Sequence, residues 1–142
     1  MDERAPSVQR SFRLSRTTSD LLDETAASAN ESRNALADRL LGEALRTERH
    51  PLIRFRTGAA GRREPHVLGT RLLVRQIVAT VQAHDASVEA ASTYLQLPSS
   101  VVRSAIAYYA DFRDEVYDDA RWASRIESEE RQRWERAHGA IA

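Results

Sequence analysis

SVQRSFRLSRTTSDLLDETAASANESRNALADRLLGEAL, residues 7–45, is the stretch that decides the fold of the N-terminal part. Apolar and polar residues alternate over residues 8–14, which is the period of a β-strand. The apolar side carries Val8, Phe12 and Leu14, and the polar side carries Gln9, Ser11 and Arg13. Arg10 interrupts the apolar side. The pattern predicts a short strand.

Two helices are expected to follow this strand. Ser15 offers an N-cap for the first helix, which we expect to run to about Ser28. Asn30 is a residue that tolerates the left-handed conformation and can therefore end that helix. Ser32 can cap a second helix, over about 33–46. The first unit therefore reads as one strand and two helices.

A unit of this size cannot supply hydrogen-bonding partners for its single strand. A single strand leaves its backbone hydrogen-bonding groups without a mate, and about 40 residues enclose only a marginal core. A symmetric dimer solves both problems, because two copies of residues 8–14 can pair antiparallel above four helices. We therefore predict at least a homodimer.

The same residues resemble the ribbon-helix-helix family of Arc, MetJ and CopG-like repressors. The resemblance covers SVQRSFRLS, TTSDLLDETAASAN and ESRNALADRLLGEAL, with the family's spacing of strand, helix, turn and helix. It implies that 8–49 form a DNA-binding and dimerisation domain. It also implies that Gln9, Ser11 and Arg13 contact DNA bases. Ser32 and Arg33, at the start of the second helix, are implied to contact phosphate. A dimerisation module without DNA affinity is the alternative.

The pair His50-Pro51 suggests the start of a second, mainly helical unit. We expect strands over 52–56 and 67–72, joined by a polar loop over 57–65, and then helices over 73–84 and 87–96. A further helix is expected to start at Pro98 and Ser99, and a long polar helix to cover about 119–137. The whole chain is therefore predicted to be mainly α, with one small two-stranded element in this unit.

This second unit resembles a family known as domain of unknown function 433. Two segments carry the resemblance: HPLIRFRTGAAGRREPHVLGTRLLVRQIVATV and SVEAASTYLQLPSSVVRSAIAYYADFRDEV. It implies a small helix-turn-helix-like domain over 50–118, of a kind found in antitoxins that accompany PIN-like ribonuclease toxins.

For two features of this unit, the sequence allows two interpretations. The helix pair over 87–109 is a structural core or a second DNA reader that exposes Ser99, Ser100 and Arg103. The loop from Gly58 to Pro65 is a basic turn or an anion site.

The tail, 119–142, is expected to be a partner-binding helix. Trp122, Ile126 and Trp134 form a thin apolar stripe on a very polar helix, and large aromatic residues dominate interface energies. An arginine inserted among the carboxylates of a toxin's active site could block it, and the candidates are Arg125, Arg131, Arg133 and Arg136. The alternative is that the tail packs on its own domain.

Four carboxylates, on Asp111, Asp114, Glu115 and Asp118, fall at i, i+3, i+4 and i+7. This spacing predicts one helical stripe that is solvated or meets a basic partner, rather than a metal site. No catalytic motif stands out, so we expect neither an enzyme nor a metal or cofactor.

Composition sets the remaining expectations. The chain has 142 residues, no cysteine and no net charge, but residues 51–110 are basic, with 7 Arg against 3 acids, and residues 111–142 are acidic, with 6 Arg against 9 acids. No apolar run predicts a membrane span or a secretory signal, and we expect a cytoplasmic protein with a flexible leader over 1–7.

Together these features predict a type II antitoxin that represses its own operator and neutralises a PIN-like ribonuclease. The alternative is a stand-alone ribbon-helix-helix regulator whose second domain dimerises or senses a ligand.

Overall fold

The computed structural model describes residues 6–58 and 61–142. Within those residues the chain forms six helices and one two-stranded antiparallel sheet, so the expectation of a mainly helical protein is confirmed. Residues 1–5 of the expected leader and two residues of the expected loop, 59 and 60, lie outside the described residues. Among the described helices, none combines the length and hydropathy that a membrane span requires.

The chain divides into two compact units, one ending at Gly42 and the other covering Glu43–Ala142. The first unit contains α1, Arg16–Ala29, and most of α2, Arg33–Arg49. The division between the units falls inside α2, whereas the sequence suggested a new unit after Arg49.

The caps of the first two helices are confirmed. The Ser15 hydroxyl accepts a hydrogen bond from the amide of Thr18, and Asn30 ends α1 in the left-handed region at a φ of 53°. The Ser32 hydroxyl accepts from the amide of Ala35 at 3.1 Å. These side chains satisfy amides that a helix N-terminus leaves without partners, which is why both helices start where the sequence predicts. Residues 6–15 form neither helix nor strand within the single chain.

The second unit opens with a hairpin whose second strand is not where we expected it. Strand β1 is Ile53–Thr57, and β2 is Arg63–Val67 rather than 67–72. Pro65 lies opposite Phe55 in the antiparallel register. A two-stranded sheet has an open edge on each strand, so a proline without an amide proton is tolerated there, and its presence made this strand look like a loop.

Four helices complete the second unit: α3, Val74–Ala83; α4, Val88–Leu95; α5, Ser99–Asp111; and α6, Arg113–Ile141. Helix α3 packs on α5, and α6 packs on both. The core between these elements comprises Ile53, Val67, Val74, Ile77, Val78, Val81, Ala91, Val102, Ala105, Tyr108 and Val116.

The last helix is longer than predicted, because it begins at Arg113 rather than near Asp119 and ends at Ile141 rather than near Ala137. Asp114 and Glu115 stand in its first turn, where negative charge favours a helix N-terminus. The buried side chain of Val116 anchors that turn in the core, so the acidic start of α6 belongs to the folded domain and the tail is continuous with it.

Candidate DNA-binding and partner-binding surfaces

An open apolar face dominates the first unit. Within its described residues only Ala26 and Leu36 are buried, whereas Phe12 is 68% exposed and Leu21 is 56% exposed. An open cavity of about 650 Å³ lies along this face, lined by Phe12, Arg13, Leu14, Thr18, Leu21, Leu22, Thr25, Ala37, Leu40 and Leu41. A unit that leaves most of its leucines outside its own core has apolar surface available for burial against another molecule.

The residues predicted to read DNA bases all lie at the surface. Gln9, Ser11 and Arg13 are exposed, on a segment without regular secondary structure. Arg13 also lines the apolar cavity, so in the single chain it does not lie strictly opposite Phe12 as the strand pattern implied.

The residues predicted to bind phosphate lie at the start of α2. The hydroxyl of Ser32 is engaged as the helix cap, and the guanidinium of Arg33 reaches the carboxylate of Asp23 at 3.4 Å on an exposed surface. Glu31 precedes the helix and accepts two hydrogen bonds from Arg39, which lower the pKa of its carboxyl. Negative charge beside this helix N-terminus competes with a phosphate for the same cations and amides.

The near half of the predicted partner-binding stripe packs on its own domain. Trp122 and Ile126 are half-buried. The Trp122 ring lies beneath the guanidinium of Arg62, at 5.9 Å, and beneath that of Arg125, at 5.0 Å. The indole nitrogen of Trp122 is buried and has no hydrogen-bond partner among the described residues. For this half, the structure favours the alternative in which the tail packs back.

The far half of the stripe is open. Every residue from 127 to 142 is exposed, which includes the predicted partner-binding residues Arg131, Arg133, Trp134 and Arg136. Arg131 lies 3.4 Å from Glu127 one turn earlier, an exposed pair of little energetic weight. The Trp134 ring stacks on His138 with centroids 5.5 Å apart. The structure therefore does not bring Trp122 and Trp134 onto one free surface.

The four-carboxylate stripe is a wrong prediction, because a break at Phe112 separates α5 from α6. Phe112 has a φ of −130° and ends α5, so Asp111 belongs to one helix and the other three carboxylates to the next. Asp111 lies 2.8 Å from His50, and Glu115 accepts hydrogen bonds from Arg46. Part of this acidic surface therefore meets basic residues of the chain itself. The described residues hold no group of three or more potential metal ligands from His, Cys, Asp and Glu.

Sequence reasoning missed a pair of buried carboxylates, on Glu64 of β2 and Asp119 of α6. Each is only 6% exposed. Arg62 donates to Asp119 at 2.9 Å, and Arg75 donates to Glu64 at 2.9 Å. Burial, with the nearby charges of Glu64 and Glu115, raises the pKa of Asp119 to about 6. Asp119 follows buried Val116 by three residues, and that spacing is the one sequence signal for its burial.

The loop that the sequence left open between a basic turn and an anion site has its arginines paired within the domain. Arg62 binds Asp119, and Arg63 binds Glu43 on α2. Because both guanidinium groups already meet carboxylates, the arrangement favours the basic turn.

No protein-family model matches this chain, and neither a curated protein nor a solved structure matches it.

Proposed function

We propose that the protein is a dimeric DNA-binding antitoxin. Its N-terminal unit would bind operator DNA, and the exposed part of its last helix would bind a toxin. The observation that carries the proposal is the open apolar face of the first unit, where Phe12, Leu21 and Leu41 are more than half exposed.

A second copy of the same unit is the occupant that fits this face best. Residues 8–14 have a strand pattern, yet form no strand within one chain. A strand needs hydrogen-bonding partners, and a second copy of residues 8–14 supplies them in antiparallel pairing. The same symmetric contact would cover Phe12 and the leucines of α1 and α2 in both copies, so one association satisfies the backbone and the apolar surface together.

Pairing of this kind would create a surface suited to DNA. A two-stranded ribbon fits the major groove, and alternate side chains of each strand would point into it. In this chain those side chains are Gln9, Ser11 and Arg13. Arginine can bind guanine through two hydrogen bonds and glutamine can bind adenine in the same way, so two of the three types can read bases.

The toxin-binding role rests on the far half of α6. Its exposed residues, 127–142, carry three arginines and four glutamates, and all three arginines stand within three positions of Trp134. A large exposed aromatic residue flanked by arginines is typical of a binding hot spot. An active site built from carboxylates, as in a PIN-like ribonuclease, could bind these arginine side chains. Of the predicted toxin-binding residues, Trp122 and Ile126 would support the helix rather than contact the toxin.

The deciding experiment is a gel shift with full-length protein and the DNA upstream of its own gene. Arg13→Ala should weaken binding by about 5- to 150-fold if the side chain pairs with a guanine, equivalent to about 1–3 kcal/mol. Arg133→Ala makes the same change on the exposed end of α6 and should leave binding unchanged. If Arg13→Ala binds as tightly as the wild type, residues 8–14 do not read the DNA.

The alternative function is a stand-alone regulator, which keeps the DNA-binding dimer and has no toxin. The presence of a gene for a small nuclease beside this gene, and co-purification of its product, would favour the antitoxin. DNA binding without either would favour the regulator.

A further inference from the structure

The contact between the hairpin and α6 involves carboxylates that are buried away from solvent. Asp119 on α6 meets Arg62, which stands immediately before β2, and Glu64 lies beside them on β2. Arg62 also lies over the ring of Trp122, one turn along α6 from Asp119. One guanidinium group therefore contacts α6 twice, through a carboxylate and through an aromatic ring.

Asp119 is enclosed by ionisable groups from several elements. The groups that act on it are Arg62, Glu64 of β2, Glu115 of α6 itself and Tyr108 of α5. Two of these have cationic partners of their own, Arg75 of α3 for Glu64 and Arg46 of α2 for Glu115. Burial raises the pKa of Tyr108 far above its ordinary value, so its hydroxyl stays neutral.

These charges leave Asp119 poorly stabilised as an anion. Its carboxylate loses hydration on burial, which disfavours the charged form, and Glu64 and Glu115 add repulsion. Arg62 opposes both effects, but its side chain is 37% exposed, so water weakens its attraction. Burial is the largest of these influences, and the pKa of Asp119 rises to about 6.

We propose that Arg62, Asp119 and Trp122 form a proton-sensitive latch between the hairpin and α6. When Asp119 takes up a proton, the charge that holds the guanidinium is lost and Arg62 can move into solvent. Trp122 then loses one of the two cations above its ring and keeps that of Arg125. Val116 stays in the core, so α6 remains packed on the domain. The surface around Trp122, just before the exposed half of α6, changes. This inference does not depend on the identity of the DNA or the toxin.

The fluorescence of Trp122 tests the latch directly in the full-length protein. Trp134 must first be replaced by Phe, because it is the second tryptophan of the chain and its emission would overlap with that of Trp122. In the Trp134→Phe protein we expect the emission of Trp122 to change between pH 8 and pH 4.5, with a midpoint near 6. Circular dichroism at both ends of the range checks that the fold is retained.

Three further variants in the Trp134→Phe protein decide the assignment. Asp119→Asn should abolish the transition, whereas Asp118→Asn, an exposed neighbour on the same helix, should leave it in place. Arg62→Gln should move the midpoint to higher pH and reduce its amplitude, because the cation that favours the charged carboxylate is gone. A transition that persists in folded Asp119→Asn, or no transition in the Trp134→Phe protein, would overturn the proposal.

Discussion

Trp122 and Trp134 lie on the same helix, but Trp122 is half-buried beside Arg62, whereas Trp134 is exposed. The indole nitrogen of Trp122 is buried and its ring lies 5.9 Å from the guanidinium carbon of Arg62. Trp134 is 64% exposed, and its one aromatic neighbour in the described residues is His138. The two residues share a residue type and a helix, so their variants form a matched pair.

Trp122→Ala should lower the stability of the protein, and Trp134→Ala should not. Removing the half-buried ring leaves a gap beside Arg62, and we expect a loss of about 1–3 kcal/mol in the free energy of unfolding. Removing the exposed ring changes that free energy by less than about 0.5 kcal/mol. Urea unfolding followed by circular dichroism measures both. Equal losses would mean that the far half of α6 also packs on the domain.

The variants Trp122→Ala and Trp134→Ala also distinguish an effect on stability from an effect on toxin binding. If the far half of α6 binds a toxin, Trp134→Ala should weaken that complex by about 30-fold or more, the effect of losing a hot-spot aromatic of about 2 kcal/mol. The measurement is co-purification and calorimetry with the product of a nuclease gene, where one is found beside this gene. Unchanged toxin affinity in Trp134→Ala would remove the tail's far half from the interface.

Association of the first unit should depend on Phe12. Phe12→Asp would place a charge on the face that a second copy covers, and burial of an unpaired charge is prohibitive, so we expect a monomer at micromolar concentration. Ser28→Asp adds the same charge to an exposed position of α1 that does not line the cavity, and should stay dimeric. Sedimentation equilibrium distinguishes the two. A monomeric wild type, or a dimeric Phe12→Asp variant, would contradict the dimer.

Local signals account for what the sequence predicted well. Ser15, Asn30 and Ser32 cap helices through contacts with residues a few positions away, and all three act as expected. Such contacts depend on neighbouring residues alone, so one sequence is enough to find them. The expected strand over 8–14 is different, because its hydrogen bonds would come from another copy and one chain does not contain them.

Long-range contacts account for what the sequence did not predict. Strand β2 was placed four residues too late because Pro65 reads as a loop residue unless its place on an open edge is known. The Arg62–Asp119 pair joins residues 57 positions apart. The four-carboxylate pattern did not include Asp119, so it predicted only its exposed neighbours. Periodicity shows which face of a helix is buried, but not which charge it meets there.

Gly58 should resist substitution, and Gly139 should accept it. A Cβ on Gly58 would lie 2.7 Å from Oε2 of Glu64, which is buried and paired with Arg75, so Gly58→Ala should displace that carboxylate. We expect a loss of about 1–2 kcal/mol. A Cβ on Gly139 meets nothing within 4 Å in the described structure, and alanine favours helices, so Gly139→Ala should be neutral or gain up to about 1 kcal/mol. Urea midpoints of the two variants check this, and a neutral Gly58→Ala would show that the Glu64 carboxylate moves freely.

Asp119→Asn should change the dependence of stability on pH in a direction that the pKa fixes. The pKa of Asp119 rises from 3.8 to about 6 on folding, so the folded protein binds the proton more tightly than the unfolded chain. The stability this contributes is fully present below about pH 3.8 and is lost as the pH rises through about 6. Asparagine resembles the protonated side chain and does not titrate.

The free energy of unfolding of Asp119→Asn, minus that of the wild type, should therefore increase from pH 4 to pH 7.5 and level off above it. The expected gain is about 1–3 kcal/mol. Urea unfolding at each pH measures the difference, and Asp118→Asn, the same substitution at an exposed position of the same helix, serves as the control. A difference that stays flat or decreases with pH for Asp119→Asn would mean that the buried carboxylate is well stabilised as an anion, and that Arg62 outweighs the cost of its burial.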